Sequence, residues 1–200
     1  MKKVILGLFV LGFLFISRGM VNATPLSASW VNVGMPGFSA GYAATSSLAF
    51  DSNNVPYVAY TDFANGQKAT VMKFNGTNWV SVGTPGFSVG QIQFYPDRSL
   101  FLDSNNVPYV AYTDYANGHK ATVMKFNGTN WVPVGAPGFS AGTINFMSIV
   151  LDSANIPYIS FSDYANGQKA TVMKFNGTNW VPVGAPGFSA GNVTYPSLAI

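Results

Sequence analysis

The chain has 200 residues, of which 48% are hydrophobic and only 8% charged, with a formal net charge of +3. It contains no cysteine and no glutamate, which excludes disulfide staples, thiolate metal sites, a cysteine nucleophile and a glutamate-based glycosidase pair. The positive balance comes from Lys2, Lys3 and Arg18; beyond them Lys68, Lys73, Arg98, Lys120, Lys125, Lys169 and Lys174 are matched by seven aspartates, so the basic field that nucleic-acid binding needs is missing.

In chain order, Lys2-Lys3 precede an apolar run over 4–16, and Val21-Asn22-Ala23 supply a small-residue cleavage pattern. Residues 1–23 read as a cleaved signal peptide, too short to span a bilayer, which implies export to an extracellular or periplasmic space and no membrane insertion afterwards. Residues 30–34 then read as the fourth strand of a unit whose first three strands are absent.

From there one block recurs with a period of about fifty residues. Its landmark is Trp30, Trp79, Trp131 and Trp180. Residues 51–80 return at 103–132 with only Tyr115 in place of Phe63 and His119 in place of Gln67. The copy at 152–181 drifts further, with Ser160-Phe161-Ser162 where the first has Ala59-Tyr60-Thr61. The repeats divide as 30–78, 79–130, 131–179 and a partial 180–200.

Each repeat reads as four short strands, here 47–51, 55–62, 68–74 and 78–82. Pro56 sits at a strand entry, where a missing N–H matters least. Asn65-Gly66 marks a loop, and Asn75-Gly76 predicts a two-residue type I′ hairpin. The second and third strands are apolar on both faces, as a sheet covered on both sides requires. Four antiparallel strands at this period define an all-β fold of β-propeller blades. Leu48-Ala49-Phe50-Asp51, a turn and Pro56-Tyr57-Val58-Ala59 resemble the core of bacterial β-propeller repeats, including the NHL type. The resemblance implies a scaffold and carries no site residue. The chain ends inside a first strand over 192–200, so it reads as a fragment of a closed propeller, the ring completed by further repeats or by self-association.

Several groups are candidates for chemistry. Asp51, Asp103 and Asp152 end the first strands, either as a ring of carboxylates or, the reading favoured, as Asx caps of the following turns. Asp62, Asp114 and Asp163 are expected to pair with Lys68, Lys120 and Lys169 across a hairpin. The Trp residues are assigned to packing between blades, and Phe87 and Phe139, on Gly-Pro linkers, to exposed stacking surfaces. The second repeat runs three residues longer between Phe87 and Asp103 than the first does between Phe38 and Asp51. Gln91, Tyr95, Asp97 and Arg98 are therefore expected on an exposed rim loop, with Tyr95, Asp97 and Arg98 joining Phe87 and Phe139 as the ligand-binding candidates. His119 has no companions for a triad or a metal site, and the sequons at Asn75, Asn127 and Asn176 read as hairpin turns.

No catalytic residue, metal or cofactor is expected. The function indicated is a secreted, non-enzymatic binding or scaffold module whose ligand is a carbohydrate or a protein. The alternatives are part of a propeller glycosidase or lyase with its catalytic residues elsewhere, or a structural surface repeat.

Overall fold

The structure is a computed structural model that describes residues 29–95 and 99–200. The expected signal peptide lies outside the described residues, as do Asp97 and Arg98. Residues up to Val31 form a unit apart from Asn32–Ile200. In the smaller unit Trp30 and Val31 are exposed coil.

The larger unit holds three antiparallel sheets in chain order. The first is β1 (Ala43–Phe50), β2 (Pro56–Asp62), β3 (Lys68–Phe74) and β4 (Trp79–Ser81). The second is β5 (Ile92–Gln93) and β6 (Leu100–Leu102), both paired with β7 (Pro108–Asp114), then β8 (Lys120–Phe126) and β9 (Trp131–Pro133). The third is β10 (Ile144–Leu151), β11 (Pro157–Asp163), β12 (Lys169–Phe175) and β13 (Trp180–Pro182). The meander order is the one a propeller blade requires.

Alternation along the strands sends one side-chain set to each neighbouring sheet. Tyr57, Ala59, Ala69, Val71 and Val82 of the first blade pack against Ile92, Leu100, Leu102, Val110 and Tyr112 of the second. The other face of the second blade, including Tyr109, Ala111 and Val123, packs against Ile144, Ile149, Ile159 and Phe161 of the third. Polar clamps accompany this packing. Asn106 accepts from the Ser52 N–H at 2.9 Å and donates Nδ2 to Ser52 Oγ at 2.9 Å; Asn155 does the same to Ser104 at 3.0 and 2.8 Å. Ser47 Oγ also accepts from the Leu100 N–H at 3.2 Å, joining the first strands of neighbouring blades.

The first strands differ from expectation. β1 and β10 begin four residues early and carry a bulge, at Ala44/Ser47 and Asn145/Ser148, where Thr45 and Phe146 take positive φ of 48° and 50°. The register places the three extra residues of the second repeat between Gln93 and Leu100, at the position of this bulge. They divide the strand into β5 and β6. Register survives on both sides: Ile92 pairs with Asp114 as Ala43 does with Asp62, and Leu100 with Val110 as Leu48 does with Val58. A bulge already leaves a residue outside the ladder, so it can absorb more without shifting the flanking pairs.

Two end segments also depart from the reading. Asn32–Gly34 forms no strand, and neither does 192–200, although Tyr195 keeps the bulge conformation with φ of 51°. Each lacks the partner strand that a ladder needs. The hairpin after β3 turns on Gly76-Thr77, closed by Asn75 N–H to Asn78 C=O at 2.9 Å. Only Gly76 has positive φ there, 98°, which is the sign pattern of a II′ turn and corrects the expected I′. Asn75 Oδ1 caps the turn by accepting from the Thr77 and Asn78 N–H groups.

Two outcomes follow from the buried polar groups. Ser160 occupies the place of Ala59 and Ala111, and its buried Oγ has no hydrogen-bond partner among the described residues. Ser160→Ala should raise stability by about 1 kcal/mol, read from the urea midpoint, because it removes an unsatisfied hydroxyl without opening a cavity. Burial, then Asp62, pushes Tyr60 up to about 12, and burial, then Asp114, raises Tyr112 further. Above pH ~10 the unfolded chain loses these phenolic protons first. Stability should therefore hold below that point and fall as pH rises towards 12, and Tyr112→Phe should flatten the fall.

Candidate functional site

Most sequence candidates prove structural. Asp51 Oδ1 accepts from the N–H groups of Asn53 and Val55, both at 2.8 Å, and Asp103 and Asp152 repeat this, so these aspartates cap turns. Asp62, Asp114 and Asp163 are buried. Register does set Lys68 opposite Asp62, but the carboxylate turns inward, taking Thr70 Oγ1 and Asn65 Nδ2 at 2.8 Å each. Thr70 Oγ1 in turn accepts from the Gly86 N–H at 2.8 Å, which pins the linker to the sheet. In place of the expected cross-hairpin ion pair, Asp62 Oδ2 takes the local Thr70 and Asn65 donors, while its buried Oδ1 has no partner among the described residues.

Phe87 and Phe139 are half-buried rather than exposed stacking platforms. They lie flat on Trp131 and Trp180, with ring centroids 4.4 Å apart in both pairs. Each indole Nε1 donates to the preceding blade, Trp131 to the Val82 carbonyl and Trp180 to the Val134 carbonyl. Gly83 bends the linker beneath Trp131 with φ of 73°; a Cβ there would come within 2.9 Å of Phe126. Tyr95 is not on an exposed loop: it is 5% exposed and its hydroxyl bonds Asn145 Oδ1 of the third blade at 2.9 Å. Gln91 alone of the described insertion candidates is exposed. His119 is exposed, its ring 4.1 Å from that of Tyr115.

The structure instead brings together a site the sequence did not single out. At the end of the blades that carries the Asx turns and the Asn-Gly hairpins, each apolar interface opens into a cleft. Between the first and second blades it encloses about 440 Å³, walled by Tyr57, Lys73 and Val82 on one side and Asn106, Pro108 and Phe126 on the other. Between the second and third it encloses about 510 Å³, and Tyr109, Lys125 and Val134 face Asn155, Pro157 and Phe175. These are the same positions, one repeat further on. The strand register makes the pairing, since Tyr57 sits opposite Lys73 and Tyr109 opposite Lys125. Lys73 Nζ lies 5.9 Å from the Tyr57 ring centroid.

Tyr57 and Tyr109 are only 6% and 7% exposed, yet among the described residues neither hydroxyl has a protein hydrogen-bond partner. By contrast Tyr60 and Tyr112, deeper in the sheets, donate to Met72 and Met124 sulfurs at 3.3 and 3.0 Å. Burial first, then Asp51 or Asp103, raises the Tyr57 and Tyr109 pKa above the usual value, so both keep their proton at neutral pH. The cleft thus combines an apolar floor with a free phenol and ammonium groups, the make-up of a small-molecule site.

No protein-family model and no curated protein matches the chain. Among solved structures it is similar to a fucose lectin from Kordia zhangzhouensis in complex with methyl-fucoside, at 14% identity and TM-score 0.43, over 70% of this chain and 99% of that one. It is similar to a protein of unknown function from Dyadobacter fermentans at 13% identity and TM-score 0.47, over 73% of this chain and 52% of that one. A thermostable family-43 glycoside hydrolase matches at 15% identity and TM-score 0.44, over 70% of this chain and 50% of its own. The match thus spans about half the length of the last two. Likenesses this distant say nothing of what this chain binds.

Because their hydroxyls have no hydrogen-bond partner among the described residues, Tyr57→Phe and Tyr109→Phe should leave stability within about 0.5 kcal/mol of the parent. Denaturant titration checks this, and a larger loss would mean that the hydroxyls serve the fold.

Proposed function

We propose that the chain is a secreted, non-enzymatic, multivalent carbohydrate-binding β-propeller module, with ligand held in the clefts between blades. The observation that carries this reading is the recurrence of one cleft, built from the same residues at both blade interfaces. Acid–base catalysis on a glycoside needs two carboxylates in distinct environments. Recurrent clefts, the first lined by the turn-capping Asp103 and the second by no carboxylate, suit repeated binding better. Carbohydrate is favoured over protein because half-open clefts of about 440 and 510 Å³ match one or two sugar rings in size and recur at one spacing. Tyr and Phe supply apolar faces for the rings, and the free hydroxyl and ammonium groups supply hydrogen bonds to them.

A glycan array probed with the full chain should give saturable binding, and Tyr109→Phe should weaken it about fivefold through the loss of one hydrogen bond. Array silence would remove the carbohydrate reading. Cleavage of any bound glycan would remove the non-enzymatic one.

A further inference from the structure

We infer that the inter-blade clefts select acidic glycans, sugars bearing carboxylate or sulfate, gripped between lysines of two successive blades. This rests on the carbohydrate reading above and adds the ligand class.

The argument is an account of which polar groups remain free. In the first cleft both polar atoms of the Asn106 side chain are committed to Ser52. Asn127 Oδ1 accepts from the Thr129 and Asn130 N–H groups, and Asp103 Oδ1 from those of Asn105 and Val107. What remains among the lining side chains is the Tyr57 and Tyr109 hydroxyls, Asn127 Nδ2, the ammonium groups of Lys73 and Lys125, and the second oxygen of Asp103. In the second cleft Lys125 and Lys174 line the wall with Tyr109, and no carboxylate is among the lining residues.

A neutral sugar offers hydroxyls that donate as well as accept, so a cleft for it needs acceptors. These clefts offer mostly donors. Two half-buried ammonium groups line each hollow, and a bound anion gains charge-assisted hydrogen bonds from them. The protonated phenol adds a third donor. Lys73, Lys125 and Lys174 sit in discrete clefts of a chain whose lysines beyond residue 23 are matched by aspartates, which suits separate acidic residues on a sugar chain and not the continuous track a polynucleotide requires.

Lys125 lines both clefts, Lys73 only the first and Lys174 only the second, which gives a clear test. Binding of the full chain to oligogalacturonate, dextran sulfate, neutral dextran and a single-stranded oligonucleotide is measured by calorimetry at 150 mM salt, roughly physiological ionic strength. At least one acidic glycan should bind tenfold or more tighter than dextran. Lys125→Gln should weaken binding about tenfold at both clefts, the cost of one charged hydrogen bond, while Lys73→Gln removes only one class of site. Lys68→Gln, a cation outside the clefts, should change nothing. Should Lys125→Gln lose its native circular dichroism, Lys174→Gln reads the second cleft by itself. Equal affinity for dextran, equal affinity for the oligonucleotide, or the same loss in Lys68→Gln would each overturn the inference while leaving the carbohydrate reading in place. Silence with all three glycans would overturn both.

Discussion

A four-stranded sheet that is apolar on both faces cannot stay folded by itself, and this constraint governs the molecule. The middle strands send Tyr57, Ala59 and Val71 one way and Val110 and Tyr112, at the alternate positions of the next blade, to meet them. Each large side chain removed from water contributes about 1.5–3 kcal/mol, against about 1 kcal/mol for a typical hydrogen bond. The apolar contact therefore holds the blades together. The Asn106 and Asn155 clamps and the Trp–Phe stacks add direction: they fix how one blade is turned on the next. Because the same residues meet at each interface, whatever hollow one interface leaves is left again at the following one.

The bulge shows how this regular packing tolerates irregular sequence. Pairing is strict where a strand contributes to an apolar face, since a slip of one residue would send its whole set to the wrong side. At the bulge the ladder is already interrupted, and the three additional residues enter there without moving Ile92 or Leu100 from their partners. Phe94 and Tyr95 turn inward, and Tyr95 reaches across to Asn145. A rim loop would have left them in water; an inner-strand bulge gives them a neighbouring blade.

The blades were legible in the sequence because their determinants are local. Alternation, Pro at a strand entry and Gly in the hairpins each act within a few residues, and they placed β3, β8 and β12 to the residue. The errors came where a side-chain partner that the strand alternation does not reveal decides, whether distant in sequence or near. Phe87 looks exposed on its Gly-Pro linker until Trp131 covers it, and Asp62 looks available to Lys68 until Thr70 and Asn65 claim it. The hairpin type was missed for a local reason: Asn75 uses its side chain to cap the turn, so the turn moves one residue on. The cleft was invisible for the most general reason, since its two walls belong to different repeats. One signal was present. Tyr57 and Lys73, and their equivalents Tyr109, Lys125, Tyr158 and Lys174, persist in all three copies, including the third, where the strand between them drifts.

The shared wall has a consequence for how repeated clefts act together. Lys125 stands between two clefts, so neighbouring sites are linked through one charged side chain and one strand pair, β7 and β8. A small anion would treat the clefts as competitors for that ammonium, and filling one would weaken the other. A chain of sugars with regularly spaced charges meets a different situation. Once one residue is held, the next is presented at high effective concentration to a rigid neighbour whose spacing the blade packing sets. Packing uniformity, which began as a requirement for burying two-faced sheets, would under the acidic-glycan proposal set the spacing that a polymer's repeat has to match. In such a system affinity for the polymer rises far above that for its monomer without any contact that a single cleft lacks.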